Sequence, residues 1–269
     1  MKRPVRIFLL LFSILYISAC AGLSDKITTN IFGPVQTHDS FEPEAERLLS
    51  ALKDKNRNIK TFKGTGRMTF SGRNRNLLSA DIAWVAEDRN KISLALRDIL
   101  GRPIANMAAD GEWIYYVSHA DNTFYKKQSD DIGLENFISV PVRIKDVILL
   151  LSGRVPVYEF DSAAVADSGN GRCVLILKKK WSGAAEKIYF GRDCRDVSEI
   201  EIFGTGGDLL YRATFEGEKK VKEYHIPSRL VVSNDTGDYM RLDIERYWAD
   251  VPVSRSAFVL NPPEQNSEE

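Results

Sequence analysis

The pattern that predicts the fold of this chain is clearest in residues 91–118, KISLALRDILGRPIANMAADGEWIYYVS. Apolar residues alternate with polar or small ones in this stretch, as Ile92, Leu94 and Leu96 do, and short turns such as Asp110-Gly111 divide the runs. Alternation with a period of two, broken by turn residues at nearly regular spacing, is typical of consecutive antiparallel strands. Such strands pack one face on a core and turn the other face to solvent.

The same pattern continues on both sides of this stretch and predicts about eleven strands in all. A sheet with that many strands must curl if it is to bury an apolar face. The predicted strands lie around residues 68–70, 82–84, 92–96, 103–108, 113–117, 174–180, 187–190, 199–203, 209–215, 230–233 and 240–247.

Helical spacing occurs at two places in the sequence. The first helix is predicted to start at Pro43 and end around Lys55, with apolar residues at positions i, i+3, i+4 and i+7. These residues are Ala45, Leu48, Leu49 and Leu52. The second helix has a similar apolar stripe and is stopped by Gly153 and Pro156. Its stripe consists of Ile144, Val147, Ile148 and Leu151.

These elements predict a mainly β fold, an open and incomplete antiparallel β-barrel with the two amphipathic helices covering its concave side. Because two helices cover only part of that side, the remainder could form an apolar, lipid-binding cavity. The residues predicted to line it are Phe70, Ile82, Trp84, Leu94, Leu96, Trp113, Tyr115, Ile144, Val147, Ile148, Leu151, Tyr211, Leu242 and Ile244. An ordinary sealed core is the alternative, and alternation alone favours it because half-buried strands normally show this pattern.

The chain begins with the three parts of a secretion signal. Lys2, Arg3 and Arg6 precede the apolar run of residues 7–17, and small residues follow it. The apolar run is too short to cross a bilayer, which needs roughly 20 apolar residues. We therefore predict a signal peptide over residues 1–19, with a buried helix or a plain membrane anchor as the alternative.

The end of this signal resembles the lipobox of bacterial lipoproteins in the quartet Ile17-Ser18-Ala19-Cys20. That resemblance implies that Cys20 carries a diacylglycerol and a further acyl chain, and two or more chains give stable membrane anchoring. Residue 21 is Ala rather than Asp, which by the lipoprotein sorting rule favours the outer membrane.

The remainder of the chain divides into three parts. Residues 20–43 have no apolar periodicity and are predicted to be a lipidated tether, residues 44–262 a single domain, and residues 263–269 a disordered acidic tail. The whole chain has 37 basic and 37 acidic side chains, and removal of the signal takes away three basic ones. Because no basic excess remains, nucleic acid is not predicted as a partner.

Cys173 and Cys194 are the two other cysteines, and each lies ten residues from Gly183-Ala184, the centre of a predicted hairpin. A two-residue loop there would place the cysteines opposite each other, at disulfide distance. An oxidising compartment would preserve such a bridge. Two free, buried thiols are the alternative, because the register is inferred.

The sequence does not favour an enzyme. It contains no Gly-x-Ser-x-Gly nucleophile motif and no zinc-type spacing of histidine and cysteine. His119 and Asp121 could ligate a metal, although an exposed polar turn explains them better. The glycine-rich stretch at residues 204–208 lies between two predicted strands, which favours a hairpin turn over a phosphate loop. We expect neither a metal nor a cofactor.

The order of several motifs resembles the LolB family of outer-membrane lipoprotein receptors, within the LolA/LolB superfamily. The motifs are the loop Asp98-Ile99-Leu100-Gly101-Arg102 between two strands, Val140-Pro141-Val142 before the second helix, Leu151-Ser152-Gly153-Arg154-Val155-Pro156 after it, Ile226-Pro227-Ser228-Arg229-Leu230, and Phe258-Val259-Leu260 with Pro262. With the lipobox, the resemblance covers most of the chain. The chain departs from the family at residues 155–203, which are longer, and in the Cys173/Cys194 hairpin.

The resemblance implies an open barrel whose cavity receives the acyl chains of a lipoprotein from a soluble, LolA-like periplasmic carrier. The lipoprotein is then released into the inner leaflet of the outer membrane. The loop of Ile99, Leu100 and Gly101 would dip into that leaflet. The alternative to insertion is that this loop folds back on the core. For the whole protein, the alternatives are a carrier or sensor for another lipid and a structural envelope lipoprotein with a sealed core.

Overall fold

The predicted antiparallel strands form one sheet in the computed structural model, which describes residues 42–72, 75–128, 140–181 and 183–262, the side chains of residues 72–77 excepted. The helices are α1 (Pro43–Asp54), α2 (Ile144–Leu151) and a 3-10 helix (Arg255–Phe258). The strands are β1 (Thr61–Gly72), β2 (Arg75–Glu87), β3 (Lys91–Arg97), β4 (Pro103–Ala109), β5 (Trp113–Ser118), β6 (Thr123–Gln128), β7 (Ser162–Gly169), β8 (Arg172–Lys179), β9 (Gly183–Arg192), β10 (Val197–Phe203), β11 (Leu209–Val221), β12 (Tyr224–Ser233) and β13 (Tyr239–Ala249).

The sheet is open. Its strand order is β6-β5-β4-β3-β2-β1-β13-β12-β11-β10-β9-β8-β7, so consecutive strands are neighbours except β6 and β7, and the two halves of the sheet join where β1 pairs with β13. Strands β6 and β7 form the two edges and are joined in sequence through α2. The open, mainly β fold with two helices is therefore confirmed.

Within the described residues the sheet has 13 strands where the sequence predicted about eleven, and the two missed strands are its edges. Strand β6 ends in Lys126, Lys127 and Gln128, and β7 consists mostly of small and polar residues, SAAVADSG. Edge strands commonly carry charge or short side chains because these discourage pairing with another chain. The same chemistry removes the alternation of large apolar residues that identifies a central strand.

Both predicted helices are confirmed. The four apolar residues of the predicted α1 stripe are buried, and so are the four of the α2 stripe. Helix α2 is followed by Gly153 at φ +69°, where an added Cβ would lie 2.7 Å from the backbone oxygen of His225. Glycine therefore allows the chain to leave α2 in close contact with β12.

Both helices pack on one face of the sheet, which we call the helix-covered face. Neighbouring residues in register point to the same side of an antiparallel sheet. One row of such residues crosses six strands of this face, from β5 through β4, β3, β2 and β1 to β13. The row is Tyr116, Met107, Leu94, Trp84, Gly64 and Tyr247. Met107, Trp84 and Tyr247 belong to the same apolar cluster as the buried residues of α1 and α2, and Leu94 and Tyr116 pack against that cluster.

The 3-10 helix near the C-terminus contacts strands β3 and β4. Its Phe258 is only 1% exposed but is separate from the cluster on the helix-covered face. The residues Ala108, Tyr115 and Val117 of the opposite face are likewise buried and separate from that cluster. This part of the sheet is therefore apolar on both faces.

Cys173 and Cys194 form a disulfide, with their Cα atoms 5.6 Å apart. The predicted hairpin register is wrong, however, because Gly183 and Ala184 pair with Lys179 and Lys178 in the ladder and are not the centre of the turn. Cys194 lies in the turn after β9, at φ +50°, rather than opposite Cys173 in the ladder. The turn brings the sulfur atoms together where the strand register alone would not.

The predicted signal peptide, Cys20, most of the tether and the acidic tail lie outside the described residues. Within the part that the structure describes, no helix combines the length and apolar character required to cross a membrane.

Candidate functional site

The helix-covered face brings together most of the residues predicted to line a lipid cavity. Those that are buried there are Ile82, Trp84, Ile144, Val147, Ile148, Leu151, Tyr211, Leu242 and Ile244. Phe70, Leu94 and Leu96 are partly buried and pack against them. The structure thus places residues from both halves of the sheet and from α2 in one apolar cluster.

Trp113 and Tyr115 are separated from this set, because they point to the opposite face of β5. On that strand Ile114 and Tyr116 face the helices, since Tyr116 pairs with Met107 of the row described above and Ile114 pairs with Ala109 of the same apolar cluster. The two faces of β5 are both apolar here, so alternation could not show which face is inside. Trp113 instead lies under the Lys126 ammonium, 4.3 Å from the ring centroid.

The centre of the helix-covered face is an aromatic group built around Gly64. Gly64 is in register with Trp84 on one side and with Tyr247 on the other. An added Cβ at Gly64 would lie 2.2 Å from Trp84 Cζ2, so glycine is what allows the indole to lie across β1. The Trp84 and Tyr247 ring centroids are 6.5 Å apart, and Tyr247 stacks on Phe62 at 5.5 Å.

A polar cluster that sequence reasoning missed lies beside α2. Asp146 of α2 is 1% exposed, accepts a hydrogen bond from Arg143 Nε at 3.1 Å and accepts another from the Tyr158 hydroxyl. The Arg143 guanidinium lies 4.0 Å from the Tyr158 ring centroid. The Tyr158 backbone N–H donates to Glu186 Oε2 at 3.2 Å. This network ties α2 to the segment that follows it and to β9.

Glu186 is fully buried on the helix-covered face, where it is in register with Leu177 and Ile202. Burial is the largest cause that raises the pKa of its carboxyl to about 8, and the charge of Asp146 contributes in the same direction. The carboxyl is therefore neutral at neutral pH, as expected for an acid in an apolar environment.

The sequence does contain a signal for this cluster. Glu186 alternates with Ile188 and Phe190, which places a carboxyl at an inward position of β9. Asp146 likewise lies within the apolar run of α2. A charged residue at a position where the alternation predicts an apolar one indicates a buried polar group. Burial of such a group costs free energy unless the group is hydrogen-bonded.

The β3–β4 loop projects its apolar residues into solvent. Ile99 is 81% exposed and Leu100 is 73% exposed, so Leu100 does not fold back on the core. Gly101 has φ +80° with open space around it, a backbone conformation that suits glycine.

Asp98 fixes the shape of this loop. Its Oδ1 accepts hydrogen bonds from the backbone N–H groups of Leu100 at 2.8 Å and Arg102 at 2.9 Å, and its Oδ2 accepts one from Arg102 Nε at 2.7 Å. The Arg102 backbone bond is the largest cause of the lowered pKa of Asp98. The loop conformation thus depends on the backbone and on Asp98, and the Leu100 side chain remains free to contact another surface.

Three clefts in the described part of the chain have volumes of about 330, 520 and 610 Å³. Both polar and apolar side chains line them, and the largest of the three lies between α2 and the β2–β3 turn, beside Arg143 and Arg89. None of these three is lined by the predicted cavity residues, which pack against one another instead.

The described residues contain no group of three or more His, Cys, Asp or Glu side chains that could hold a metal ion. His119 and Asp121 lie in and beside the β5–β6 turn, where Asp121 accepts a hydrogen bond from the Ser118 hydroxyl at 3.0 Å. Residues 204–208 form the β10–β11 turn, as predicted.

No protein family model matches the sequence, and no curated protein matches it. Solved structures do match the fold. A DUF1329 family protein from Desulfovibrio piger has a TM-score of 0.58 at 9% identity, covering 80% of this chain and 96% of that one.

A LolA superfamily protein from Nitrosomonas europaea has a TM-score of 0.55, and an outer membrane lipoprotein-sorting protein domain from Vibrio parahaemolyticus has 0.54. Each is 11% identical to this chain, covers 80% of it and is itself covered to 97%. Identities this low show the fold alone. The chain therefore shares its fold with these three proteins.

Proposed function

We propose that this protein is an outer-membrane-anchored lipoprotein that binds acyl chains on the helix-covered face and helps insert lipoproteins into the outer membrane. The observation that carries the proposal is an open sheet with one continuous apolar face, which, among the described residues, two short helices cover. The sharing of this fold with a lipoprotein-sorting protein domain supports it. The LolB-like motif order supports the receiving role rather than the soluble carrier role.

Anchoring is assigned to Cys20, on the strength of the lipobox. A chain attached to the inner leaflet of the outer membrane would hold the domain close to the bilayer that receives the cargo. The upstream partner would be a soluble, LolA-like carrier, because acyl chains cannot cross the aqueous periplasm uncovered.

Acyl chains would enter by displacing α2 from the sheet. Helix α2 has only 8 residues, and its apolar side chains cover the same face that the chains would occupy. Replacing the contacts of the α2 side chains with contacts to acyl chains would cost little free energy, since either one keeps water away from the apolar face. The binding would be non-covalent and loose enough to allow release, and it requires no catalytic group.

Release would take place at the β3–β4 loop. Leu100 and Ile99 are the exposed apolar tip, and Arg102 and Arg97 flank them with positive charge. An apolar tip with basic neighbours suits the boundary between acyl chains and lipid headgroups. The loop would direct the opening of the sheet toward the leaflet.

A transfer assay tests this function. A lipoprotein held by its periplasmic carrier is mixed with the protein and then with liposomes, and the cargo is followed between fractions. We expect the cargo to move from the carrier to the protein and then to the liposomes. Absence of both steps, with no lipid bound to the purified protein, would favour a structural lipoprotein with a sealed core, a function that the tight packing of Trp84 and Tyr211 also fits.

The samples of the transfer assay also distinguish the proposed function from that of a carrier or sensor for another lipid. That function predicts a bound phospholipid or other lipid and no transfer of lipoprotein.

A further inference from the structure

The aromatic group around Gly64 contains two hydrogen-bond donors with no partner among the described residues. The Trp84 Nε1 and the Tyr247 hydroxyl are both buried, and neither makes a hydrogen bond there. Trp84 is 3% exposed and Tyr247 is 8% exposed. Buried polar groups are nearly always hydrogen-bonded, so two neighbouring exceptions require an explanation.

The two aromatic rings that carry these donors are neighbours in the fold. Their ring centroids are 6.5 Å apart, and both residues are in register with Gly64, which contributes no side chain between them. Both residues belong to the apolar cluster of this face, and the Tyr247 ring stacks on Phe62. The aromatic carbons thus lie in the apolar core, while the polar atoms of the two side chains have no hydrogen-bond partner among the described residues.

The chemistry of the pair specifies the ligand. The indole N–H can only donate a hydrogen bond, and a phenol hydroxyl donates readily. The complementary group is a strong acceptor without a proton of its own. A carbonyl oxygen meets this requirement and has two lone pairs, so one carbonyl can accept from two donors.

We propose that Trp84 and Tyr247 form a polar subsite for the carbonyl group of an acyl ester or amide whose chain lies along the helix-covered face. The inference rests on the proposed function, because it assumes that acyl chains reach this face, and it adds the part of the ligand that the site recognises. The subsite would select acyl chains over plain hydrocarbon. It would also fix the depth at which the chain lies in the sheet.

A matched pair of ligands tests the subsite. Methyl laurate and tetradecane have chains of the same length, but only the ester has a carbonyl. Both are titrated against the full-length chain held in an amphipol, by displacement of a fluorescent acyl probe. We expect the wild-type chain to bind the ester more tightly, and Tyr247→Phe to reduce ester affinity about fivefold, the effect of one net hydrogen bond, with alkane affinity unchanged.

Tyr115→Phe is the matched control. Tyr115 is buried to a similar degree on the opposite face, and its hydroxyl already donates to Asp110 at 2.9 Å. This variant should leave the preference for the ester over the alkane unchanged. Trp84→Phe should lower the preference as Tyr247→Phe does.

Two further readouts keep the test independent of affinity. The carbonyl stretching band of ¹³C-labelled methyl laurate should shift to lower frequency on binding the wild-type chain and shift less with Tyr247→Phe. The ligand-free Tyr247→Phe variant should melt no lower than the wild type, since the substitution removes an unsatisfied hydroxyl.

The possible failures are distinguishable. If wild type and Tyr247→Phe bind ester and alkane with equal preference, the subsite is absent, and the two donors bind only water, while the proposed lipid binding stands. If neither ligand binds the wild-type chain, the proposed function itself is contradicted.

Discussion

Replacement of Leu100 by Glu separates folding from membrane contact. Leu100 is 73% exposed, and the loop around it is held by Asp98 through backbone N–H groups rather than by the leucine side chain. Substitutions at such surface positions usually change the free energy of unfolding by less than about 0.5 kcal/mol. We therefore expect the melting temperature of Leu100→Glu to stay within about 2 °C of the wild type.

The effect on transfer follows from the apolar area that remains to be buried. Full burial of a leucine side chain is worth roughly 1.5–3 kcal/mol. Because about three quarters of the Leu100 side chain is exposed, its insertion into a bilayer would contribute about 1–2 kcal/mol. Loss of that contribution should slow transfer to liposomes by about fivefold to thirtyfold, and desolvation of the new carboxylate can only increase the loss.

The assay measures cargo bound to the protein and cargo delivered to liposomes in the same reaction. Leu100→Glu should bind cargo normally and deliver it slowly, so cargo should accumulate on the protein. Val259→Glu is the matched control, because it adds the same charge at another exposed apolar residue, 44% exposed, outside the β3–β4 loop. A melting temperature lowered by many degrees would show that Leu100 packs in the core, and normal delivery by a stable variant would refute the role of the loop.

Three other predictions concern the buried carboxyl, the disulfide and the lipid anchor. Burial raises the pKa of Glu186 from its ordinary 4.5 to about 8, so the folded state holds a proton that the unfolded state releases. This group should therefore lower the free energy of unfolding by about 2 kcal/mol as the pH rises from 6 to 8. Glu186→Gln should remove that part of the pH dependence, and an unchanged slope in chemical denaturation across this range would contradict the assignment. Joint replacement of Cys173 and Cys194 by Ser should lower the free energy of unfolding by about 3 kcal/mol, since the bridge closes a loop with a sequence separation of 21. Reactive thiols in denatured, unreduced protein from the periplasm would show that no bridge forms. Cys20→Ser should yield an unlipidated or uncleaved precursor because serine cannot form the thioether, whereas a variant of normal mobility that remains in the outer membrane would reject the lipobox.

Much of the fold followed from periodicity because the central strands and both helices carry regular apolar patterns. Strands β6 and β7 did not follow from it, because edge strands protect themselves with charged and small residues. The face of Trp113 and Tyr115 was predicted wrongly, since both faces of β5 carry apolar residues and alternation does not distinguish them.

The candidate site was predicted only in part for related reasons. Alternation identified Trp84 as inward-facing, but the importance of Tyr247 depends on its register with Gly64, which joins β1 to β13 across the length of the chain. Glu186 interrupts an apolar pattern and was open to detection, whereas its partner Tyr158 lies in an irregular segment that has no period.

The most direct test of acyl binding is the identity of whatever the protein carries when it is purified. The chain is produced with Cys20→Ser, so that its own anchor contributes no lipid, and organic extracts of the native protein are analysed by mass spectrometry. Binding of acyl chains on the helix-covered face predicts acylated lipoprotein or acyl lipid in the extract in a stoichiometric amount, released when α2 is unfolded by denaturant. An extract free of acyl chains, from protein that also fails to bind a fluorescent acyl probe, would show that the helix-covered face is a sealed core.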